Sequence, residues 1–284
     1  MIKELKKKDF FNAFDEVHNK EEKIIVIQSG ILSFAEYLEC EISQIQKYLI
    51  DIIFEYFGKH TTILFPSFTA SFARTKKYDL FLSKPDTGIL PTYCIKKKLM
   101  KRTRQPLTSF LVSGPLENEI LEIKCKTSWG DESIYGWLQK KNALWIALGV
   151  NWSKGCAFFH RSEEFMKVPY RYFKSYKGDM FNNGKKIGVC EETKFSYSLN
   201  VKPIFDLYTW IDWLYDTKQV RKSFNKKLIL ESVKVNSILE AGKNFFSYDP
   251  YGFIKNKLEV KNWVKNDKLN EIKNLPKNEQ TNLN

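Results

Sequence analysis

The chain has 284 residues, of which 43% are hydrophobic and 15% aromatic, enough apolar material for one large domain with a substantial core. Lysine and arginine outnumber aspartate and glutamate by 46 to 33, and the resulting charge of +13 favours anionic partners. No apolar run reaches the roughly 20 residues that cross a bilayer, and MIKELKKKDFF at the N-terminus lacks a leader's apolar segment, so no transmembrane segment and a cytoplasmic location are expected.

Residues 2–18 have the spacing of an amphipathic helix, and 23–34 read as a buried strand breaking at Ser29-Gly30. Residues 41–57 carry an apolar stripe at helical spacing, and 61–68 form a second strand stopped by Pro66. This α-β-α-β opening implies a crossover and a mixed, largely parallel sheet flanked by helices. A Pro/Gly turn cluster at 83–91 precedes a helix near 93–100, and strands follow at 109–112 and 143–150. Beyond Arg171, 185–199 reads as strands, while 205–215 and 226–239 read as a helical C-terminal elaboration. The expected organisation is one α/β domain over 1–254 and a polar, frayed tail over 255–284.

Chemistry concentrates between residues 133 and 171, where a dry strand leads into His160 and Glu163 at i, i+3 and then Pro169-Tyr170-Arg171. An imidazole held by a carboxylate is a general base working near neutral pH; a lone histidine among aromatics such as Phe158 and Phe159 is more often a packed core residue. Ser29, Gly30 and Ile31 lie between a strand and an expected helix start, where free backbone N–H groups would receive an anion; an ordinary turn is the alternative. No GxGxxG, GxxxxGK[ST], GxSxG or HExxH occurs, and no acidic cluster points to a metal. Cys40, Cys94, Cys125, Cys156 and Cys190 never form a CxxC pair and read as reduced thiols; His18 and His60 are unassigned.

Several stretches taken in order resemble the aminoglycoside 3-N-acetyltransferase family, which is distinct in fold from the GNAT enzymes. IQSGI (27–31) resembles its VHSSL, TILFPSFT (62–69) its TLVMPTFT, and KPDTGILPT (84–92) its PSxxGxLPE. RTRQPLTS (102–109) is similar to RSxHPxxS, 133–150 to SPxGxL with the strand and LGV, and His160, Glu163 and 169–171 to HxxE followed by PYR. Gln28 and Gln105 replace family histidines, Gly30 a serine and Ile134 a proline, and the polar loop after LGV becomes NWSKGCAFF.

The resemblance implies an acyltransferase moving an acetyl group from acetyl-CoA, without a metal, to a primary amine of an amino sugar. It implies His160 as base with Glu163 orienting it, and Ser29, Gly30, Ile31, Arg102, Thr103 and Ser109 along the acetyl-CoA path, with Arg102 or Arg104 near its phosphates. Cys156, four residues from His160, is a minor alternative as nucleophile. The charge of +13 favours an anionic small-molecule acceptor, nucleotide- or lipid-linked, and hence surface-polysaccharide biosynthesis. Aminoglycoside modification is the first alternative. A family member without catalysis, or a nucleic-acid-binding protein using residues 95–104, is the second; no nucleic-acid partner is expected, and the oligomeric state is open.

Overall fold

A computed structural model describes residues 5–38, 40–41, 44–197 and 203–266. The chain begins with helix α1 (Lys7–Val17) and strand β1 (Ile24–Ser29), followed by two 3-10 turns, Ile31–Ser33 and Ala35–Tyr37. Then come α2 (Ile45–Phe57), β2 (Thr62–Pro66), α3 (Phe72–Thr75), β3 (Lys77–Asp79), α4 (Ile89–Lys96), β4 (Lys101–Arg102) and β5 (Phe110–Ser113). The middle holds α5 (Glu117–Leu121), α6 (Ile134–Lys140), β6 (Leu144–Leu148), α7 (Trp152–Gly155), α8 (Phe159–Phe165), β7 (Arg171–Asn182) and β8 (Lys185–Tyr197). The last elements are α9 (Tyr208–Asp216), β9 (Arg221–Lys222), β10 (Leu230–Lys234), α10 (Val235–Tyr248) and α11 (Lys257–Lys265).

A mixed seven-stranded sheet in the order β4-β5-β2-β1-β6-β10-β9 forms the centre. Its three middle strands, β2, β1 and β6, run parallel, and the flanking pairs are antiparallel. Strand alternation gives each sheet face its own core. Ile25, Ile27, Ile63, Phe65, Ile146 and Leu148 pack with α1, α2 and α4. Val26, Leu64, Trp145, Ala147 and Val233 pack with α6, α8, α9 and α10. The layered α/β class and the helical C-terminal elaboration expected from sequence are present. A separate three-stranded sheet, β3-β7-β8, stands beside this frame.

Four expectations need correction. Residues 230–234, read as part of a helix, form β10, because Leu230 and Val233 bury against the sheet and the segment pairs antiparallel with β6 from Leu230–Leu148 to Lys234–Leu144. The helix placed at 93–100 starts earlier, at Ile89 after Gly88. Strand β7 was not anticipated; it turns into β8 through Asn183 and Gly184, both at positive φ (51° and 81°), as an Asn-Gly hairpin turn requires. The tail is not uniformly frayed, since α11 buries Val260 completely. Residues 267–284 lie outside the described residues. Among the described residues no helix is long and apolar enough to cross a membrane.

Candidate active site

Helix α8 carries His160 and Glu163 and is fixed from both sides. Behind it, α10 crosses at Gly242, where an added Cβ would lie 2.1 Å from the Ser162 hydroxyl and 2.3 Å from its Cβ. In front, the buried Arg161 guanidinium donates from Nη1 to the Trp129 carbonyl at 2.6 Å, from Nε to Gln139 Oε1 at 2.6 Å, and from Nη2 to Asp131 Oδ1 at 2.5 Å. These bonds hold the loop before α6, whose Ser133 caps the helix by accepting the Gly136 N–H at 3.1 Å. Ile134 occupies the first helical position, where the family motif's proline would also fit. The anchored loop lays the Trp129 ring 4.9 Å from the imidazole of His160.

The two residues that the sequence singled out meet. His160 Nδ1 lies 2.6 Å from Glu163 Oε2. Glu163 Oε1 accepts from the Tyr170 hydroxyl at 2.9 Å and from Arg171 Nε at 2.8 Å. Arg171 also donates to the Phe195 carbonyl at 3.1 Å, tying α8 to β8. Burial raises the cost of charging Glu163, but the Arg171 guanidinium, with His160 and Tyr170, outweighs it and holds the carboxyl below its ordinary range. An ionised Glu163 accepts only, which assigns the proton to Nδ1 and leaves the lone pair on Nε2. Burial lowers the His160 pKa to about 4, against the opposing pull of Glu163. The imidazole is therefore neutral at pH 7 and, with 27% of its side chain exposed, accessible to a ligand.

His160 lines a cavity of about 580 Å³ with Phe68, Asp86, Phe159, Arg171, Tyr176, Lys194 and Tyr197 among its walls. Lys194, Trp129 and Tyr170 had not been singled out as separate site residues. The strand alternation of ETKFSYS, which puts Glu192, Lys194 and Ser196 on one face of β8, is the signal that could have found Lys194. Cys156 is buried and its thiol pushed up to about 12 by that burial, so it is not a thiolate nucleophile.

The residues expected along the acetyl-CoA path fall into two groups. Ser29 ends β1, Gly30 follows it, and at Ile31 a single 3-10 turn, Ile31–Ser33, starts in place of an α-helix. The Gly30 N–H donates to Leu148 O at 2.8 Å, so the sheet takes up that donor, and Ile31 packs into the core. A Cβ on Gly30 would lie 2.2 Å from Val150 Cγ1, which accounts for glycine where the family motif has serine. Arg102 and Ser109 form a buried network around Ser67, with Thr103 buried beside them. Arg102 donates to the Ser83 carbonyl at 2.6 Å, to Thr69 Oγ1 at 2.8 Å and to Ser67, and the Ser109 hydroxyl donates to Ser67 O at 2.5 Å. Thr103 Oγ1 accepts the Phe110 N–H at 3.0 Å. Arg102 thus ties the β4–β5 hairpin to Ser67, Thr69 and Ser83 while also lining the cavity beside that hairpin. Gln105, where the motif has histidine, donates to the Ile123 carbonyl at 3.0 Å. Gln28 reaches the loop before α8, bonding the Lys154 carbonyl and the Ala157 N–H.

Beside this hairpin lies a second cavity of about 870 Å³, with a floor of Leu80, Ile95, Met100 and Ile123 and a rim of Lys98, Lys101, Arg104 and Lys124. The basic run at 95–104 supplies most of that rim. Among the described residues no group of three or more metal-ligating side chains is assembled.

A neutral imidazole, oriented by a buried carboxylate and opening on a cavity, is an arrangement able to accept a proton from a ligand. The chain matches the family model for aminoglycoside 3-N-acetyltransferase over residues 37–239, more than half its length. It belongs to that family and is an acetyltransferase. Its fold is that of solved aminoglycoside acetyltransferases. The AAC(3)-IVa apoenzyme superposes with a TM-score of 0.70 at 16% identity, covering 92% of this chain and 98% of that one. A histidine-to-alanine variant of AAC(3)-IVa in complex with a gentamicin gives 0.68 at 17% identity, covering 89% and 92%. The YokD protein from Bacillus subtilis gives 0.68 at 14% identity, covering 86% and 100%. No curated protein sequence matches the chain.

Proposed function

We propose that the protein transfers the acetyl group of acetyl-CoA to a primary amine of an aminoglycoside. The observation that carries this reading is the chain Arg171–Glu163–His160, which ends on an unprotonated Nε2 beside the cavity. Thioester aminolysis needs an uncharged nitrogen and a group to take its second proton as the C–N bond forms. His160 Nε2 takes that proton, and Glu163 stabilises the resulting imidazolium through Nδ1 without moving. The proton then goes to the departing CoA sulfur as the C–S bond breaks. No acyl-enzyme is needed, consistent with a buried, protonated Cys156.

Acetyl-CoA brings the activated acyl group. The apolar floor of the second cavity suits its adenosine portion, and Lys98, Arg104 and Lys124 suit its phosphates. An anionic acceptor in surface-polysaccharide assembly, the reading favoured by net charge, gains no support from these comparisons. The family and the gentamicin-bound relative favour the aminoglycoside alternative.

The test is release of free CoA thiol with gentamicin, apramycin and UDP-linked amino sugars as acceptors. Turnover of an aminoglycoside supports the proposal. Turnover of the sugar nucleotide alone, or no turnover with any amine despite acetyl-CoA binding, sinks it.

A further inference from the structure

The charges around His160 are arranged against holding an ammonium ion. Both nearby carboxylates are buried and already engaged. Glu163 is bonded to His160, Tyr170 and Arg171. Glu192 accepts the Leu107 N–H and the Ser128 hydroxyl, each at 2.6 Å, and the Thr108 hydroxyl. Of the described cavity-lining residues only Asp86 is acidic, and it accepts the Ala70 N–H at 2.6 Å. Lys194, by contrast, lines the cavity with no ion pair among the described residues, its Nζ 5.8 Å from the centre of the Trp129 ring that flanks His160. Burial and the Arg171 charge lower its pKa, while Glu192 and Glu163 pull it back toward the charged form. The groups facing Lys194 are Glu192 on its own strand, Lys174 directly opposite on β7, Arg171 on β7, and His160 and Glu163 on α8. Lys76 adds a further cation at Tyr176, 5.3 Å from that ring. Like charges directly across a ladder, as at Lys174 and Lys194, disfavour the sheet, so packing alone does not account for them.

Building on the function proposed above, we propose that Lys194 keeps the acceptor amine unprotonated for attack: its ammonium, set beside His160 in the acceptor cavity, disfavours a second positive charge where the nucleophile must sit. A nearby like charge always favours the neutral form of an amine. The step balances. The incoming ammonium gives one proton to solvent on binding, and the neutral nitrogen attacks the thioester carbonyl. His160 takes the second proton and returns it to the leaving sulfur. Lys194 neither gives nor takes a proton. It acts through charge on the substrate, and His160 remains the base.

The experiment measures gentamicin binding by calorimetry at pH 7 in two buffers of different ionisation enthalpy, which counts the protons released. The full-length protein is compared with Lys194→Met and Lys194→Arg, alongside pH profiles of kcat. The native protein and Lys194→Arg should release protons, and Lys194→Met measurably fewer. The rise of kcat with pH should move up by about one unit in Lys194→Met, roughly a tenfold loss at neutral pH that disappears at high pH. Equal proton release with superimposable profiles, or a loss of rate equal at every pH, overturns the inference. Proton release without acetyl transfer in the native protein would fell the proposed function while leaving Lys194's role standing; no amine binding at all overturns both.

Discussion

Glu163 meets Arg171 through one carboxylate oxygen, Nε to Oε1 at 2.8 Å, and keeps the other for His160 at 2.6 Å. The guanidinium therefore acts on His160 through the carboxylate between them. Removing one partner of a buried ion pair costs on the order of 3–5 kcal/mol, because the other charge is left uncompensated. Arg171→Met should melt well below the native protein, and its Glu163 should take up a proton at higher pH. The acid limb of its pH–rate profile should accordingly move upward. An unchanged limb would mean that Glu163 holds its charge without Arg171.

His160→Ala should fold and still gain thermal stability from acetyl-CoA, while turnover falls by roughly 100- to 10,000-fold, the usual worth of a general base. A near-native rate in a well-folded variant would return His160 to a packing role.

The lowered pKa of His160 also has a signature in stability. Its pKa falls from 6.5 in the unfolded chain to about 4 in the fold, so between these values the unfolded state binds more protons. Stability should be complete above pH 6.5, decline as pH falls toward 4, and lose nothing further from this group below that. With the ring partly exposed, the effect should be on the order of 2 kcal/mol. Subtracting the melting curve of His160→Gln from that of the native protein across pH 4–7 isolates it from His18, whose pKa is also lowered by burial. A flat difference refutes the assignment.

Much of this was legible in the sequence. The spacing of His160 and Glu163, and the dry strand before them, made their contact readable because i, i+3 neighbours share a helix face. The contact of Arg171 was not: the sequence places Pro169-Tyr170-Arg171 after the pair without linking them, whereas Arg171 opens a strand of 12 residues and its side chain turns back onto α8. Lys194 escaped because its neighbours are set by the hairpin register, a non-local property. The helix assigned to 226–239 holds from Val235 on, in α10, but not over 230–234, where five residues are too few to fix a period and pairing with β6 decided it.

Charge reversal in the second cavity separates the two substrates. Lys98→Glu with Lys124→Glu should raise KM for acetyl-CoA at least several-fold, leaving kcat and the KM for gentamicin near native, and the effect should shrink as salt rises. A change confined to the acceptor's KM would place the CoA phosphates elsewhere.

The crossing of α10 over α8 leaves no space for a methyl group. Gly242→Ala should cost about 1–3 kcal/mol through overpacking, and it should lower activity by displacing His160. Because the obstacle includes Ser162 Cβ, 2.3 Å from the added methyl, Ser162→Ala should not relieve the strain and Ser162→Gly should, in part. Equal melting temperatures for the native protein and Gly242→Ala would show that the helices part easily.

The β7–β8 hairpin gives the cavity Arg171, Tyr176, Lys194, Ser196 and Tyr197, yet it belongs to the small sheet. Its distal half packs through a separate cluster around Phe72, Tyr78, Tyr176 and Met180. His160 sits on a helix of the main frame and much of the cavity wall on an appendage, which divides the labour of inheritance. On the hairpin's inner face Glu192 is tied to Leu107, Thr108 and Ser128, whereas Lys194 and Ser196 can be exchanged with little disturbance to the large core behind His160. A lineage carrying this architecture can change what it acetylates by varying one ribbon while the chemistry stays in place.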